Sequence, residues 1–162
     1  MSPTEQAPAA SALNDAQIAH IVVTANSIDS AAGVVGKEKG QSKAVKDFAQ
    51  TMITDHGGVN QQATALATTL GVTPADNGTS QSLSAGAAES AATLQGTTGA
   101  NFDRAYIDRE VAYHEAVLDA LDKTLVPSAQ NAELKALMVK VRPAFVAHLE
   151  HARRLQTSLG AK

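Results

Sequence analysis

Four segments of this 162-residue chain repeat apolar residues at the spacing of an α-helix. They run over about 14–39, 43–70, 101–125 and 132–160, so each is long for a helix in a small domain. Asn or Ser residues that cap helices precede them, and Gly or Pro follows most of them. No stretch alternates apolar and polar residues as a strand does. The pattern therefore predicts an all-α protein.

The connection between the second and third segments is unusually long. Residues 73–100 are dominated by Gly, Ser, Thr and Ala, and we expect at most a short helix there, around 82–94. A link of this length can travel the length of a helix bundle. We therefore predict a ferritin-like four-helix bundle over residues 14–160, with 73–100 as a long crossover between helices 2 and 3. Residues 1–13 hold two Pro and many small residues, and we expect a disordered N-terminal tail.

Composition excludes several classes of function. The chain has 13 Lys plus Arg against 16 Asp plus Glu, without a basic block, so we expect no nucleic-acid partner. It has no Cys, which excludes thiol catalysis and Cys-type metal sites. No apolar run approaches the ~20 residues that span a bilayer, so we predict no transmembrane segment. The first residues also lack the basic and apolar regions of a signal peptide.

A titratable side chain interrupts each of the four apolar stripes near the middle of its helix. These residues are Asp29 in the first segment, His56 in the second, Glu110 and His114 in the third, and His148 in the fourth. A buried polar group without a partner is destabilising by several kcal/mol, so one such residue in every helix needs an explanation. Because helix midpoints coincide in a bundle, the five side chains are expected to converge at its centre.

Three imidazoles and one or two carboxylates form a plausible ligand set for Zn, Cu, Fe or Mn. We therefore predict one divalent metal ion, with His56, His114 and His148 as primary ligands and with Glu110 and Asp29 completing the set. The alternative is a metal-free hydrogen-bond network among the same residues, which fixes the register of the helices.

Three short stretches of the chain resemble the bacterial DUF4142 family. They are VKDFAQTMITDH at 45–56, FDRAY at 102–106 and PAFVAHL at 143–149, together with His114, and the resemblance covers about residues 14–158. It implies a ferritin-like bundle and export from the cytoplasm, and it marks Asp55, His56, His114 and His148 as positions of interest. Relatives usually carry Glu near position 29, where this chain has Asp29. The resemblance implies no established reaction.

From these observations we expect an exported metal-binding bundle, periplasmic or secreted, whose signal peptide is not part of this chain. Metal sequestration or a stress response is the expected role. The alternative is a structural or interaction domain without enzymatic activity. An iron oxidase is the least supported reading, because the Glu-x-x-His signature of two-iron bundles is absent: positions 53, 111 and 145 hold Ile, Val and Phe.

Overall fold

The computed structural model describes residues 12–160, and over these residues the protein is all-helical. Its five helices are α1 (Asp15–Lys39), α2 (Lys43–Leu70), α3 (Gly78–Gly96), α4 (Ala100–Ala120) and α5 (Ala132–Gly160). The last turns beyond α4 are a wider π-helical turn, Leu121–Leu125, and a short helical turn, Val126–Ser128. The predicted all-α class is confirmed. The tail predicted over 1–13 lies outside the described residues, apart from Ala12 and Leu13.

Local side-chain caps explain where the helices begin and end. Asn14 and Gln17 form a reciprocal capping box at the start of α1, and the hydroxyl of Ser42 caps α2 by accepting from Val45 N. Gly71 ends α2 with a φ of 65°, in the left-handed region that favours glycine. These boundaries agree with those that the sequence predicts.

The long connection is the point at which the structure corrects the sequence-based expectation. It contains α3, a helix of 19 residues that is longer than the predicted short helix and makes the number of helices five. Asn77 caps its first turn, and Ser80 and Leu94 near its two ends are its buried residues. A largely polar segment therefore forms a helix because its ends are capped and anchored, although its middle buries little.

Hydrogen bonds at its two ends show the direction of α3 relative to α1. The N-terminal end of α3 lies beside the start of α1, where Ala75 N donates to Ala16 O at 2.9 Å. Its C-terminal end lies beside the end of α1, where Lys39 Nζ donates to Leu94 O at 2.8 Å. α3 therefore runs parallel to α1 along its length.

Two carboxylates each bind a turn to the first residues of a helix that is distant in the sequence. Asp103, at the start of α4, accepts from Gln41 N and Ser42 N in the α1–α2 turn. Asp15, at the start of α1, accepts from Gln130 N and Asn131 N in the turn before α5. α4 therefore runs antiparallel to α1 and antiparallel to α5, so the middles of α1, α2, α4 and α5 lie at the same level.

The core is built from Ala, Leu, Val and Ile together with all three Phe residues and Tyr106. Among residues 12–160, α1 is the one helix whose length and mean hydropathy, 1.4 in its best window, would suit a membrane span. A core helix meets the same criteria, and 44% of that window is buried in this fold. The absence of a transmembrane segment stays a prediction.

Candidate metal centre

The structure brings the five predicted site residues together in the interior. Asp29 comes from α1, His56 from α2, Glu110 and His114 from α4, and His148 from α5. All are buried, with exposed fractions between 0 and 6%. The helical periodicity of each stripe turns these side chains inward, and the shared level of the helix middles brings them to one place.

The three imidazoles form a nearly equilateral triangle. Their ring centroids are 5.4 Å apart for His56 and His114, 5.3 Å for His56 and His148, and 5.5 Å for His114 and His148. One ring nitrogen from each lies within 4.8 Å of the other two. Three potential ligand nitrogens, each from a different helix, therefore face a common volume.

Each imidazole is held from outside by an oxygen atom. Nδ1 of His56 is 2.7 Å from Asn26 Oδ1, Nδ1 of His114 is 3.0 Å from the Glu110 carbonyl oxygen, and Nε2 of His148 is 2.8 Å from Asp55 Oδ2. The amide of Asn26 is oriented by its own donation to Val22 O at 2.8 Å.

These oxygens only accept hydrogen bonds, so the ring nitrogen beside each of them carries the proton. In a neutral ring the other nitrogen then holds a lone pair. Metal-ligating histidines are usually held in this way, with the second ring nitrogen bonded to a carboxylate or carbonyl oxygen.

The inner atoms of the cluster lack hydrogen-bond partners. Within residues 12–160 the buried side-chain atoms without any partner are Asp29 Oδ2, His56 Nε2, Tyr106 Oη, Glu110 Oε2, His114 Nε2 and His148 Nδ1. Every predicted ligand contributes one of them. Because unpaired buried polar atoms are destabilising, their concentration at one point indicates that a missing partner belongs there.

The carboxylates lie on one side of the imidazole triangle. Asp29 Oδ2 is 2.9 Å from His56 Nε2 and 3.8 Å from His114 Nε2, although neither contact has hydrogen-bond geometry. Glu110 Oε2 is 3.5 Å from His114 Nδ1. Asp29, Glu110 and His114 form a second group whose ligand atoms lie within 4.8 Å of one another.

Arg109 completes the site, and sequence reasoning missed it. Its Nη1 is 2.5 Å from Asp29 Oδ1 and 2.9 Å from Glu110 Oε1, so one guanidinium joins both carboxylates. The guanidinium also lies over the ring of Tyr113, 4.2 Å from its centroid. Arg109 lies beside the apolar stripe of α4 and reaches the carboxylates through its long side chain, so periodicity gives no signal for it.

Burial and neighbouring charges shift the acidities within the site. Burial raises the pKa of Asp29, but His56, His114 and Arg109 outweigh this effect and hold it below its usual value. Burial, and then the charge of Asp29, raise the pKa of Glu110 well above the usual value. Asp29 is therefore the ionised carboxylate of the pair.

The imidazoles are poor bases in this interior. Burial lowers the pKa of His114 to about 4, against an opposing contribution from Asp29. Burial also lowers the pKa of His148, partly offset by its hydrogen bond to Asp55. Both rings are therefore neutral at neutral pH, which is the form that binds a metal ion.

Aromatic packing shields the cluster. The ring of Phe145 stacks on His56 with a centroid distance of 4.9 Å and an interplanar angle of 22°. Phe145 occupies the position at which a two-iron bundle carries Glu, so the structure has an apolar wall there in place of a further carboxylate. Asp55, a position that the family resemblance marks, contacts the site, whereas His151, one turn after His148, packs against Phe48.

The donor set fits a divalent ion that prefers nitrogen and oxygen ligands. Three imidazole nitrogens and one ionised carboxylate suit Zn²⁺, Cu²⁺, Fe²⁺ or Mn²⁺, whereas Mg²⁺ and Ca²⁺ prefer oxygen ligands throughout. Such an ion would supply the positive charge that the inner lone pairs lack.

Comparison with known proteins identifies a family. No curated protein and no solved structure was found to match the chain. A family model described as "Domain of unknown function (DUF4142)" matches residues 1–155. Because this match spans essentially the whole chain, the protein belongs to the DUF4142 family.

Proposed function

We propose that this protein binds one divalent metal ion at the centre of a ferritin-like four-helix bundle. The bundle would consist of α1, α2, α4 and α5, and α3 would travel its length as part of the crossover between α2 and α4. His56 Nε2, His114 Nε2, His148 Nδ1 and Asp29 Oδ2 would hold the ion. Glu110 would complete the site from the side of Arg109 and His114.

One observation carries this proposal. Three imidazoles are fixed by acceptors on their outer nitrogens, and the inner nitrogens and a carboxylate oxygen all lack partners. Four electron-pair donors that face one volume repel each other unless a cation lies among them. A self-sufficient hydrogen-bond network would need a donor for each of these four atoms, whereas the unpartnered groups of residues 12–160 that can donate are two, the Tyr106 hydroxyl and the carboxyl of Glu110.

The burial of the site favours retention of the ion over catalysis. The ligands are almost fully enclosed, and the carboxylate set is too small for a two-iron oxidase. Metal sequestration or a stress response is therefore the proposed role. Export to the periplasm or outside the cell rests on the family alone, and fractionation of cells that express the native gene tests it.

The metal test compares two double variants that each lose two histidines. Untagged full-length protein is analysed for co-purified metal and then melted with and without Zn²⁺, Cu²⁺, Mn²⁺ or Fe²⁺. Saturation with one of these ions should raise the melting temperature by about 5–10 °C. His56→Ala/His148→Ala should abolish the rise, whereas His20→Ala/His151→Ala should retain it, because neither His20 nor His151 belongs to the cluster.

The competing function is that of a metal-free structural or interaction domain. The ion pair of Arg109 with Asp29 favours it, because this pair already neutralises the ionised carboxylate of the site without any metal. In that case no metal co-purifies, none of the four ions changes the melting temperature, and the histidine replacements alter stability alone.

A further inference from the structure

A metal ion needs a way into the cluster, because its ligands are enclosed. Asp29 and Glu110 are fully buried, and His114 and His56 are 1% and 2% exposed. Arg109 touches these buried carboxylates with Nη1, and its side chain is itself 10% exposed. It therefore stands between the cluster and the space outside it.

Arg109 lines three cavities beside α3, and the two larger ones lie on either side of this helix. One, of about 500 Å³, lies between α3 and α4, where Leu83 and Ala87 face Ala112 and Tyr113. The other, of about 450 Å³, lies between α3 and α1. Arg109 lines both cavities, so its guanidinium has room to move away from the carboxylates.

α3 is attached at its ends rather than along its length. Near its start, Ser80 Oγ is 2.7 Å from His20 Nδ1, and near its end Lys39 Nζ donates to the carbonyl oxygens of Leu94 and Gln95. None of residues 81–93 between these anchors is buried. The middle of α3 therefore lies over the cavities next to Arg109 and is held there by few contacts.

We propose that Arg109 is the gate of the metal site: it holds Asp29 and Glu110 in the metal-free protein, and an entering cation displaces it into the cavities beneath α3. This inference rests on the proposed metal-binding function. The guanidinium and the incoming ion compete for the same carboxylates and repel each other, so Arg109 both stabilises the empty site and weakens metal binding.

A second approach to the cluster lies on the opposite side. The side chain of Asp55 is 43% exposed and bonds to His148, which is 6% exposed. A cation that enters here passes between α2 and α5 without meeting Arg109. The experiment therefore has to distinguish these two routes.

The test measures the rate of Zn²⁺ uptake by metal-free full-length protein from a chromophoric chelator, together with the equilibrium affinity. Arg109→Met removes the charge of the gate, with Arg104→Met, on the same helix but bonded to Leu159 O, as its control. Gly86→Phe fills the larger cavity, since a Cβ at Gly86 meets nothing within 4 Å. Gly96→Phe, at an equally open position outside the cavities, is its control.

The gate requires Arg109→Met to speed uptake about tenfold and to tighten binding. Gly86→Phe should slow uptake by a similar factor and leave the affinity unchanged, with both controls like wild type. Unchanged rates in both Arg109→Met and Gly86→Phe overturn the gate while metal binding stands. Weaker binding in Arg109→Met at an unchanged rate also overturns it, because Arg109 then only positions Asp29. If wild type takes up none of Zn²⁺, Cu²⁺, Mn²⁺ or Fe²⁺, the gate and the proposed function fail together. If Arg109→Met does not fold, the comparison of Gly86→Phe with Gly96→Phe decides.

Discussion

Nε2 of His56 lies 2.9 Å from Oδ2 of Asp29, yet the two atoms form no hydrogen bond. The proton of His56 is on Nδ1, which faces Asn26 Oδ1 at 2.7 Å. In the neutral form of this ring, a lone pair on nitrogen therefore opposes an ionised carboxylate across a distance typical of a hydrogen bond. A cation between them relieves this repulsion, and so does a proton donor.

Asp29→Asn is expected to separate stability from metal binding. The Asn amide nitrogen can donate to His56 Nε2. Without the charge of Asp29, which raises the pKa of Glu110, Glu110 can ionise and pair with Arg109, so metal-free stability should be about equal. Loss of the anionic ligand should weaken Zn²⁺ binding by about a hundredfold or more.

Urea unfolding of metal-free protein and a Zn²⁺ titration measure these two effects. Asp122→Asn, in an exposed pair with Arg142, is the control and should change neither. Retained affinity in Asp29→Asn, with destabilisation by about 3–5 kcal/mol, would show instead that Asp29 serves the ion pair with Arg109.

Asp55→Ala is expected to weaken metal binding without much effect on the fold. Asp55 is partly exposed, and its bond to His148 Nε2 fixes which ring nitrogen of His148 keeps the lone pair. Loss of such an outer partner typically weakens metal binding by about 10–100-fold, whereas the loss of the acceptor of His148 Nε2 should lower stability by about 1–3 kcal/mol. Calorimetric titration with Zn²⁺ and thermal melting check the two effects, and a large fall in melting temperature with intact affinity would contradict them.

The convergence of the five site residues could be predicted from the sequence because two simple quantities determine it. Helical periodicity decides which face each residue occupies, and the distance from the helix midpoint decides its level. Neither periodicity nor distance from a helix midpoint predicts the role of Arg109 or the formation of α3. Arg109 crosses from one face to another through a flexible side chain, and α3 is held by its caps and end anchors rather than by an apolar stripe. The sequence therefore predicts the side chains at the centre of the site, but it does not predict Arg109 or the helix α3, which lie outside them.

Gly58→Ala and Gly36→Ala are expected to change stability in opposite directions. Both lie inside helices, where Ala is favoured over Gly by roughly 0.5–1 kcal/mol. A Cβ at Gly58 meets nothing within 4 Å, so Gly58→Ala should stabilise the protein by about that amount. A Cβ at Gly36 would lie 2.5 Å from the buried ring of Tyr106, so Gly36→Ala should destabilise it by about 1–3 kcal/mol. Urea unfolding measures both, and similar effects of the two variants would contradict the packing of Tyr106 against α1.

Metal-free protein is expected to lose stability on acidification partly through His114. Its pKa is lowered by burial from 6.5 in the unfolded chain to about 4 in the fold, so the unfolded chain takes up the proton first as the pH falls. The contribution of the neutral ring is complete above pH 6.5 and disappears by about pH 4. The shift corresponds to about 3 kcal/mol.

The raised pKa of Glu110 acts in the opposite direction, so wild type has to be compared with a variant that retains Glu110. The unfolding free energy of His114→Gln should therefore fall less than that of wild type between pH 6.5 and 4, by about 3 kcal/mol. Equal losses in the two proteins would mean that the pKa of His114 is not lowered in the fold, so that protons would compete with a metal ion for this ring close to neutral pH.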